Sequence, residues 1–276
     1  MIRLIVDSTS EIDMEDAKKI GIELLPMKVM IDDEEYKVGV NLTTKEFFDK
    51  LKVCKVLPKT TQINASEYLE AIERVLNNGD EAFVMCLSSA LSGSFNSLRI
   101  AKDEINSDKV EIFDTETTTF AYKALIDEAL KLIDQGVSLQ ELKSVMEKLK
   151  KKLKLFAVID NVKYLIKGGR LSLTKGLTAT ALNIKPIVSI VDKRLQMVSK
   201  SIGFCLGMKA LCKMISNVDT NRSMYYAHSN DEEKAEKLRK TIKESIGIDF
   251  NKICGIGPVI GTHAGPGCVG VAYFEK

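Results

Sequence analysis

The first half of the chain alternates short apolar runs with segments whose apolar residues recur every three or four positions. The runs predicted to form strands occupy residues 3–6, 22–31, 82–87 and 110–113. The segments between them have helical spacing, as in Phe95, Leu98 and Ala101. Strands that alternate with helices predict a parallel, doubly wound sheet. We therefore expect an α/β fold that begins with a Rossmann-like parallel sheet.

The pattern changes after a lysine-rich segment at residues 139–154, which predicts a helix with a solvated face. Beyond it, the predicted strands occupy residues 155–159, 187–191 and 195–199, and residues 192–194 form the turn between the last two. We therefore place a domain boundary near Leu155. Residues 1–154 would form an N-terminal α/β domain, and residues 155–276 a C-terminal α/β domain.

The charge balance argues against several classes of partner. The 276 residues include 40 basic and 38 acidic ones, for a formal net charge of +2, which gives no support to nucleic-acid or membrane-surface binding. No run approaches the roughly 18 apolar residues that cross a bilayer, so we expect no stable membrane insertion. Six cysteines are scattered without a CxxC pair. Such scattered cysteines are typical of reduced thiols, and we expect a cytoplasmic protein.

A serine-rich junction at residues 88–97 lies between a predicted strand and a predicted helix. There, Ser92, Gly93 and Ser94 would aim hydroxyls and backbone N–H groups at one point, beside the positive end of the helix dipole. This arrangement favours an anionic oxygen group, such as a phosphate or a carboxylate. The alternative is that Ser92 or Ser94 serves only as the helix N-cap.

Three further segments carry candidate ligand-binding residues. Thr60 and Thr61 precede a predicted helix and supply neutral hydroxyl donors, although they would be ordinary loop residues if the segment only caps that helix. Arg170 follows two glycines and is suited to binding an anion or a partner carboxylate. His263 lies among the glycines and prolines of residues 255–267, which predict a rigid loop rather than a helix face.

Several chemistries have little support. The two histidines lie 35 residues apart with no HxxxH motif, so the sequence points to no metal site. The GxxxxGK[ST] phosphate loop is absent and no GxGxxG follows an early strand, so we expect no cofactor. A serine-dependent acyl hydrolase that uses Ser92 or Ser94 with His263 is the serious alternative. However, the junction is not GxSxG, and no acidic partner for His263 can be chosen.

Binding without turnover accounts for the same groups more completely. Neutral hydroxyls, a helix N-terminus and a histidine can hold a buried carboxylate, whose desolvation is otherwise very costly. An apolar tunnel between the two domains would then hold a tail. Burial of about 15 methylenes at ~0.8 kcal/mol each amounts to roughly 12 kcal/mol before the ordering costs.

Six motifs in this order carry a family resemblance. They are Asp7-Ser8-Thr9, Thr60-Thr61-Gln62, Leu91-Ser92-Gly93-Ser94-Phe95, Gly168-Gly169-Arg170-Leu171-Ser172, Lys185-Pro186 and Gly261-Thr262-His263-Ala264-Gly265-Pro266-Gly267. On these motifs the chain resembles, over essentially its whole length, the DegV family, the acyl-binding subunit of bacterial fatty acid kinase.

The resemblance implies two α/β domains with one long-chain fatty acid in a tunnel between them. It implies a separate ATP-dependent fatty acid kinase subunit as partner, whose acyl phosphate product feeds phospholipid synthesis. The implied ligand-binding residues are Thr60, Thr61, Ser92, Gly93, Ser94 and His263, with Arg170 at the head group or at the kinase interface. Thr61 replaces the family's serine and Ile63-Asn64 its Pro-Ser, but neither change removes a donor. A ligand-responsive regulatory protein without a kinase partner is a third hypothesis.

Overall fold

The computed structural model describes residues 1–171 and 183–276 of the chain. The described helices are α1 (Met14–Lys19), α2 (Thr44–Val53), α3 (Ala65–Asn77), α4 (Ser94–Ile105), α5 (Thr119–Asp134), α6 (Leu139–Lys152), α7 (Lys163–Lys167), α8 (Phe204–Cys212), α9 (Glu232–Ile246) and α10 (Pro258–Ala264). The described strands are β1 (Ile2–Asp7), β2 (Glu23–Leu25), β3 (Lys28–Ile31), β4 (Glu34–Lys37), β5 (Lys59–Thr61), β6 (Glu81–Cys86), β7 (Val110–Asp114), β8 (Leu153–Val158), β9 (Ile184–Val191), β10 (Arg194–Ile202), β11 (Tyr225–His228), β12 (Lys252–Gly255) and β13 (Val269–Phe274). A 3-10 helix, Ser8–Ser10, follows β1. No helix in these two ranges is long and apolar enough to cross a membrane.

The N-terminal half contains a four-stranded sheet in the order β2-β1-β6-β7, and all its strands are parallel. β1 is buried from Leu4 onward and β6 from Ala82 onward. Both faces of this sheet are therefore covered, which explains why its central strands are continuous apolar runs. The predicted parallel sheet is confirmed.

The prediction of a single strand at residues 22–31 is wrong, because this segment forms two strands in different sheets. Pro26 separates β2 from β3 and lacks the N–H group that a continuous strand would contribute. β3 pairs antiparallel with both β4 and β5 in a separate three-stranded sheet. This small sheet places Thr60 of β5 opposite Val29 of β3.

The C-terminal half contains a six-stranded mixed sheet in the order β10-β9-β8-β13-β11-β12. The predicted hairpin is present, and its turn residues Asp192 and Lys193 have φ angles of 49° and 65°. An α/β fold with a parallel sheet and a second, mixed-sheet domain is thus confirmed. The boundary near Leu155 stays a prediction, and the first strand of the mixed sheet begins at Leu153.

Helix α5 packs between the two halves. The ring of Phe120 lies against Gly270, where an added Cβ would be 2.7 Å from the ring atom Cζ. Farther along α5, the carboxylate of buried Glu128 accepts hydrogen bonds from Arg222 Nη1 at 2.7 Å and from the Ser223 N–H at 3.1 Å. Apolar and polar contacts along one helix therefore join the halves.

Candidate functional site

The serine-rich junction lies where β6 ends and α4 begins. Gly93 is the N-cap of α4 and has no side chain to cap the helix itself. The Ser92 hydroxyl accepts from the Ser94 N–H at 3.2 Å and lies 3.0 Å from the Ser94 hydroxyl. Ser94 is fully buried, and its Oγ accepts from the Ile63 N–H at 3.2 Å. Ser92 and Gly93 line a cavity between the two halves of the chain. Ser94 lies behind Ser92 and contacts it through its hydroxyl.

Only one of the two adjacent threonines borders this cavity. Successive side chains of a strand point to opposite faces, and in β5 Thr60 is half-buried whereas Thr61 is exposed. The Thr60 hydroxyl lies 3.0 Å from Nε2 of His263. The structure therefore brings Thr60 to His263 and leaves Thr61 at the surface.

Gln62, the residue after β5, also borders the cavity, and the predicted ligand-binding set omits it. Gln62 Nε2 donates to Ser97 Oγ at 3.1 Å. Its Oε1 lies over Gly93, where an added Cβ would be only 1.9 Å away. A side chain at position 93 would displace Gln62. The signal for Gln62 was its place in the Thr60-Thr61-Gln62 motif.

His263 lies in the last turn of α10 instead of in the predicted loop. Pro258 starts this helix, and Gly265, with a φ of 70°, follows its end, so the glycines and prolines flank a helix. Among the described residues, Nδ1 of His263 is buried without a hydrogen-bond partner, and an added Cβ at Gly168 would lie 2.3 Å from it. Burial, together with the positive charge of Arg170, lowers the pKa of His263 to about 4. The imidazole is therefore neutral near pH 7.

Arg170 connects the two loops that border the site. Its Nε donates to the Leu91 carbonyl at 3.3 Å, and its Nη1 donates to the Gly168 carbonyl at 2.6 Å. Burial lowers the pKa of Arg170 from its ordinary value, although a guanidinium stays charged at neutral pH. Ser172, the last residue of the glycine–arginine motif, lies outside the described residues.

These polar groups border one cavity between the two halves of the chain. Its polar wall comprises Thr60, Gln62, Ser92, Gly93, Thr118, Thr119, Arg170 and His263. Within residues 1–171 and 183–276, fifteen apolar residues also line the cavity, including Met27, Leu87 and Phe120 from the N-terminal half and Leu155, Val188 and Ile260 from the C-terminal half. The empty space in the cavity and at its mouth amounts to about 990 Å³. A concave wall that is mostly apolar and carries a few polar groups is typical of a site for a small, largely apolar molecule.

The polar wall also borders an open groove on the surface. Thr60, Arg170 and His263 contact both the cavity and this groove. The groove is further lined by Lys55, Lys59 and Lys167. A group held at the polar wall is therefore reachable from outside, beside positive charge that favours an anion.

A family model described as "Uncharacterised protein, DegV family" matches residues 1–276. The chain belongs to the DegV family. The predicted family membership is thus confirmed. A DegV domain-containing protein of Staphylococcus aureus (strain MRSA252) is 31% identical over 99% of this chain and 98% of its own length.

Solved DegV structures have the same fold. This DegV chain is similar to a fatty acid binding DegV family protein from Streptococcus agalactiae, with a TM-score of 0.90, 23% identity and coverage of 100% of this chain and 99% of that one. It is also similar to DegV, a fatty acid binding protein from Bacillus subtilis, with a TM-score of 0.85, 26% identity and the same coverage. These likenesses support the two-domain α/β architecture.

The described residues of this DegV protein do not assemble the contacts that serine hydrolysis requires. Within residues 1–171 and 183–276, Nε2 of His263 contacts Thr60 rather than Ser92 or Ser94, and no carboxylate hydrogen-bonds to either ring nitrogen. A serine nucleophile needs a histidine in contact with its hydroxyl and a group that orients that histidine. The same ranges contain no cluster of three or more side chains that could hold a metal ion.

We predict that the lowered pKa of His263 makes the protein less stable in mild acid. The unfolded chain takes up a proton on this residue near pH 6.5 and the folded chain only near pH 4, so stability falls as the pH drops through this window. The loss amounts to up to about 3 kcal/mol. It is measured as the difference in the pH dependence of the unfolding free energy between the wild type and His263→Gln. An identical pH dependence in the two proteins would contradict a lowered pKa of His263 in the folded chain.

Proposed function

We propose that this DegV protein binds one long-chain fatty acid, with the carboxylate at Thr60, Ser92, Gly93 and His263 and the tail against the apolar wall. The observation that carries the proposal is a set of hydrogen-bonding groups on one cavity whose remaining wall is largely apolar. Related proteins of the same fold are described as fatty acid binding, which adds support.

Uncharged hydrogen-bond donors can stabilise a carboxylate that is removed from water. When the Nε2–H of neutral His263 donates to Thr60, the Thr60 hydroxyl is free to donate to the ligand. In the same way, when the Ser94 hydroxyl donates to Ser92 Oγ, the Ser92 hydroxyl is free to donate to the ligand. The Gly93 N–H lies at the N-terminus of a 12-residue helix, whose dipole favours negative charge. Several donors then share one charge, which offsets part of its desolvation cost.

The second part of the proposal is a partner, a separate ATP-dependent fatty acid kinase subunit. One oxygen of the bound carboxylate would attack the terminal phosphorus of ATP, and the bond from that phosphorus to ADP would break, giving an acyl phosphate for phospholipid synthesis. Support comes from Lys55, Lys59 and Lys167 in the open groove, because ammonium groups attract phosphate. Arg170 borders both the cavity and the groove, which supports a role for it at the head group or at the partner interface.

Substitution of the two threonines tests the carboxylate site. We expect Thr60→Val to weaken binding of palmitic acid about tenfold, because both the carboxylate and His263 lose a hydrogen-bond partner while the side chain keeps its shape. Thr61→Val is the matched control, since that hydroxyl is exposed on the same strand, and its affinity should stay at the wild-type value. Displacement of a fluorescent fatty acid measures both. Wild-type affinity in Thr60→Val, or an equal loss in the two variants, would contradict the assignment.

Reconstitution tests the partner. The protein is mixed with palmitic acid, ATP and a kinase subunit from the same organism, and acyl phosphate is trapped with hydroxylamine. We expect formation that depends on this protein and falls several-fold in a Lys59→Ala, Lys167→Ala double variant, because phosphate attraction is lost while the fatty acid site is kept. No acyl phosphate, in an assay where an established carrier protein is active, would instead favour a ligand-responsive regulatory protein.

A further inference from the structure

One side chain outside the carboxylate site connects three segments that border the cavity. Glu11 follows the 3-10 helix Ser8–Ser10, and its Oε1 accepts from the Thr119 hydroxyl at 2.8 Å. Its Oε2 accepts from the Gly257 N–H at 2.7 Å. Thr119 is the first residue of α5, and Gly257 is the N-cap of α10. The Glu11 carboxylate therefore joins the end of β1, the start of α5 and the start of α10.

The backbone at this junction is held in uncommon conformations. Glu11 has a φ of 58° and Thr119 a φ of 53°, in the left-handed region that a β-branched residue rarely adopts. Such conformations are costly and persist where their surroundings impose them. Gly257 adds a steric condition, because an added Cβ would lie 2.6 Å from Glu11 Oε2. The chain thus maintains close contact between these three residues at a cost to stability.

Helix α10 links this junction to the carboxylate site. Its first turn follows Gly257, and its last turn carries His263, roughly 9 Å along the axis at 1.5 Å per residue. Val259 and Ile260 of the same helix line the cavity. A short helix moves as a unit, so a displacement of its N-terminus changes the distance between His263 and Thr60.

We propose that Glu11 is a positioning residue for the carboxylate site, because its two hydrogen bonds hold α10 where His263 contacts Thr60. This inference rests on the proposed function for its effect on ligand binding, and on geometry alone for its effect on His263. Glu11 itself touches no ligand in this account.

The hydrogen bonds do not require a charge on Glu11. Burial raises the pKa of Glu11 to about 8, so the protonated form is well populated near neutral pH. The protonated carboxyl accepts from the Gly257 N–H and donates to the Thr119 hydroxyl, whose oxygen then accepts instead of donating. The neutral amide of glutamine offers the same pair of groups. Glu11→Gln should therefore preserve the junction, whereas Glu11→Ala removes it.

The test compares Glu11→Ala, Glu11→Gln and the wild type, with Glu15→Gln as an exposed control four residues away. Affinities are measured for palmitic acid and for methyl palmitate, which has the same tail but no carboxylate. The ring signals of His263 are followed by NMR in the absence of ligand. They are readily assigned, because the chain contains two histidines and a His228→Gln variant removes the other signal.

We expect Glu11→Ala to lower the ratio of acid affinity to ester affinity about tenfold and to shift the His263 signals, since a misplaced imidazole affects only the carboxylate. Glu11→Gln and Glu15→Gln should match the wild type. Unchanged His263 signals and ratio in Glu11→Ala would overturn the inference. So would an equal loss for acid and ester, which indicates damage to the apolar wall, or an equal loss in Glu11→Ala and Glu11→Gln.

Thr119 offers a second set of variants, and the ligand-free His263 signals offer a readout that needs no ligand. If Glu11→Ala fails to fold, Thr119→Val removes one of the two hydrogen bonds, and Thr119→Ser should restore the His263 signals and the ligand ratio. If the wild type binds neither palmitic acid nor its ester, the proposed function fails. The ligand-free His263 signals then decide the positioning role of Glu11 independently.

Discussion

The contact between Thr60 and His263 is the interaction on which the site depends, because it joins residues 203 positions apart in the chain. Thr60 reaches it through the small antiparallel sheet of the N-terminal half, and His263 through helix α10. Neither residue is charged near pH 7, since burial and the neighbouring Arg170 lower the pKa of His263 to about 4. The contact thus places two neutral, mutually oriented groups where the two halves meet.

In the proposed complex, the apolar and the polar parts of the cavity wall have different roles in binding. The apolar wall is contributed by both halves, so a tail lying against it removes surface of both from water. In the proposed complex, tail burial would therefore supply most of the affinity, at ~0.8 kcal/mol per methylene before ordering costs. The polar wall supplies orientation, because a carboxylate anywhere else in the cavity would lose water without gaining donors. Among the described residues, the members of the cavity wall that also border the open groove are Thr60, Arg170 and His263, so the carboxylate of the proposed ligand would be accessible there.

Much of this fold could be predicted from local pattern, and the failures have physical causes. The parallel strands are short apolar runs between segments of helical spacing, so this alternation identifies them, and the junction at Ser92 is a strand–helix turn marked by its own residues. Residues 22–31 have one apolar pattern but two sheets, because Pro26 interrupts the hydrogen-bonding ladder. Thr61 carries the same hydroxyl as Thr60, and only the strand alternation of β5 separates them.

A tunnel between the halves could be predicted, but the residues that line it could not. Its wall is drawn from residues between Met27 and Cys268, and whether a given leucine faces a cavity or a filled core depends on packing between the halves. Glu11 is a similar case, since its partners Thr119 and Gly257 are distant in sequence. The helix at His263 was missed because its flanking glycines and prolines are also typical of loops.

Mass spectrometry of the purified protein tests the central claim most directly. The protein is measured under native and then denaturing conditions, and the released material is extracted into organic solvent and identified. The account predicts one carboxylic acid of about 14 to 20 carbons per chain, since a tail of that length supplies the burial on which affinity depends. An empty protein that also fails to take up added fatty acids would contradict it.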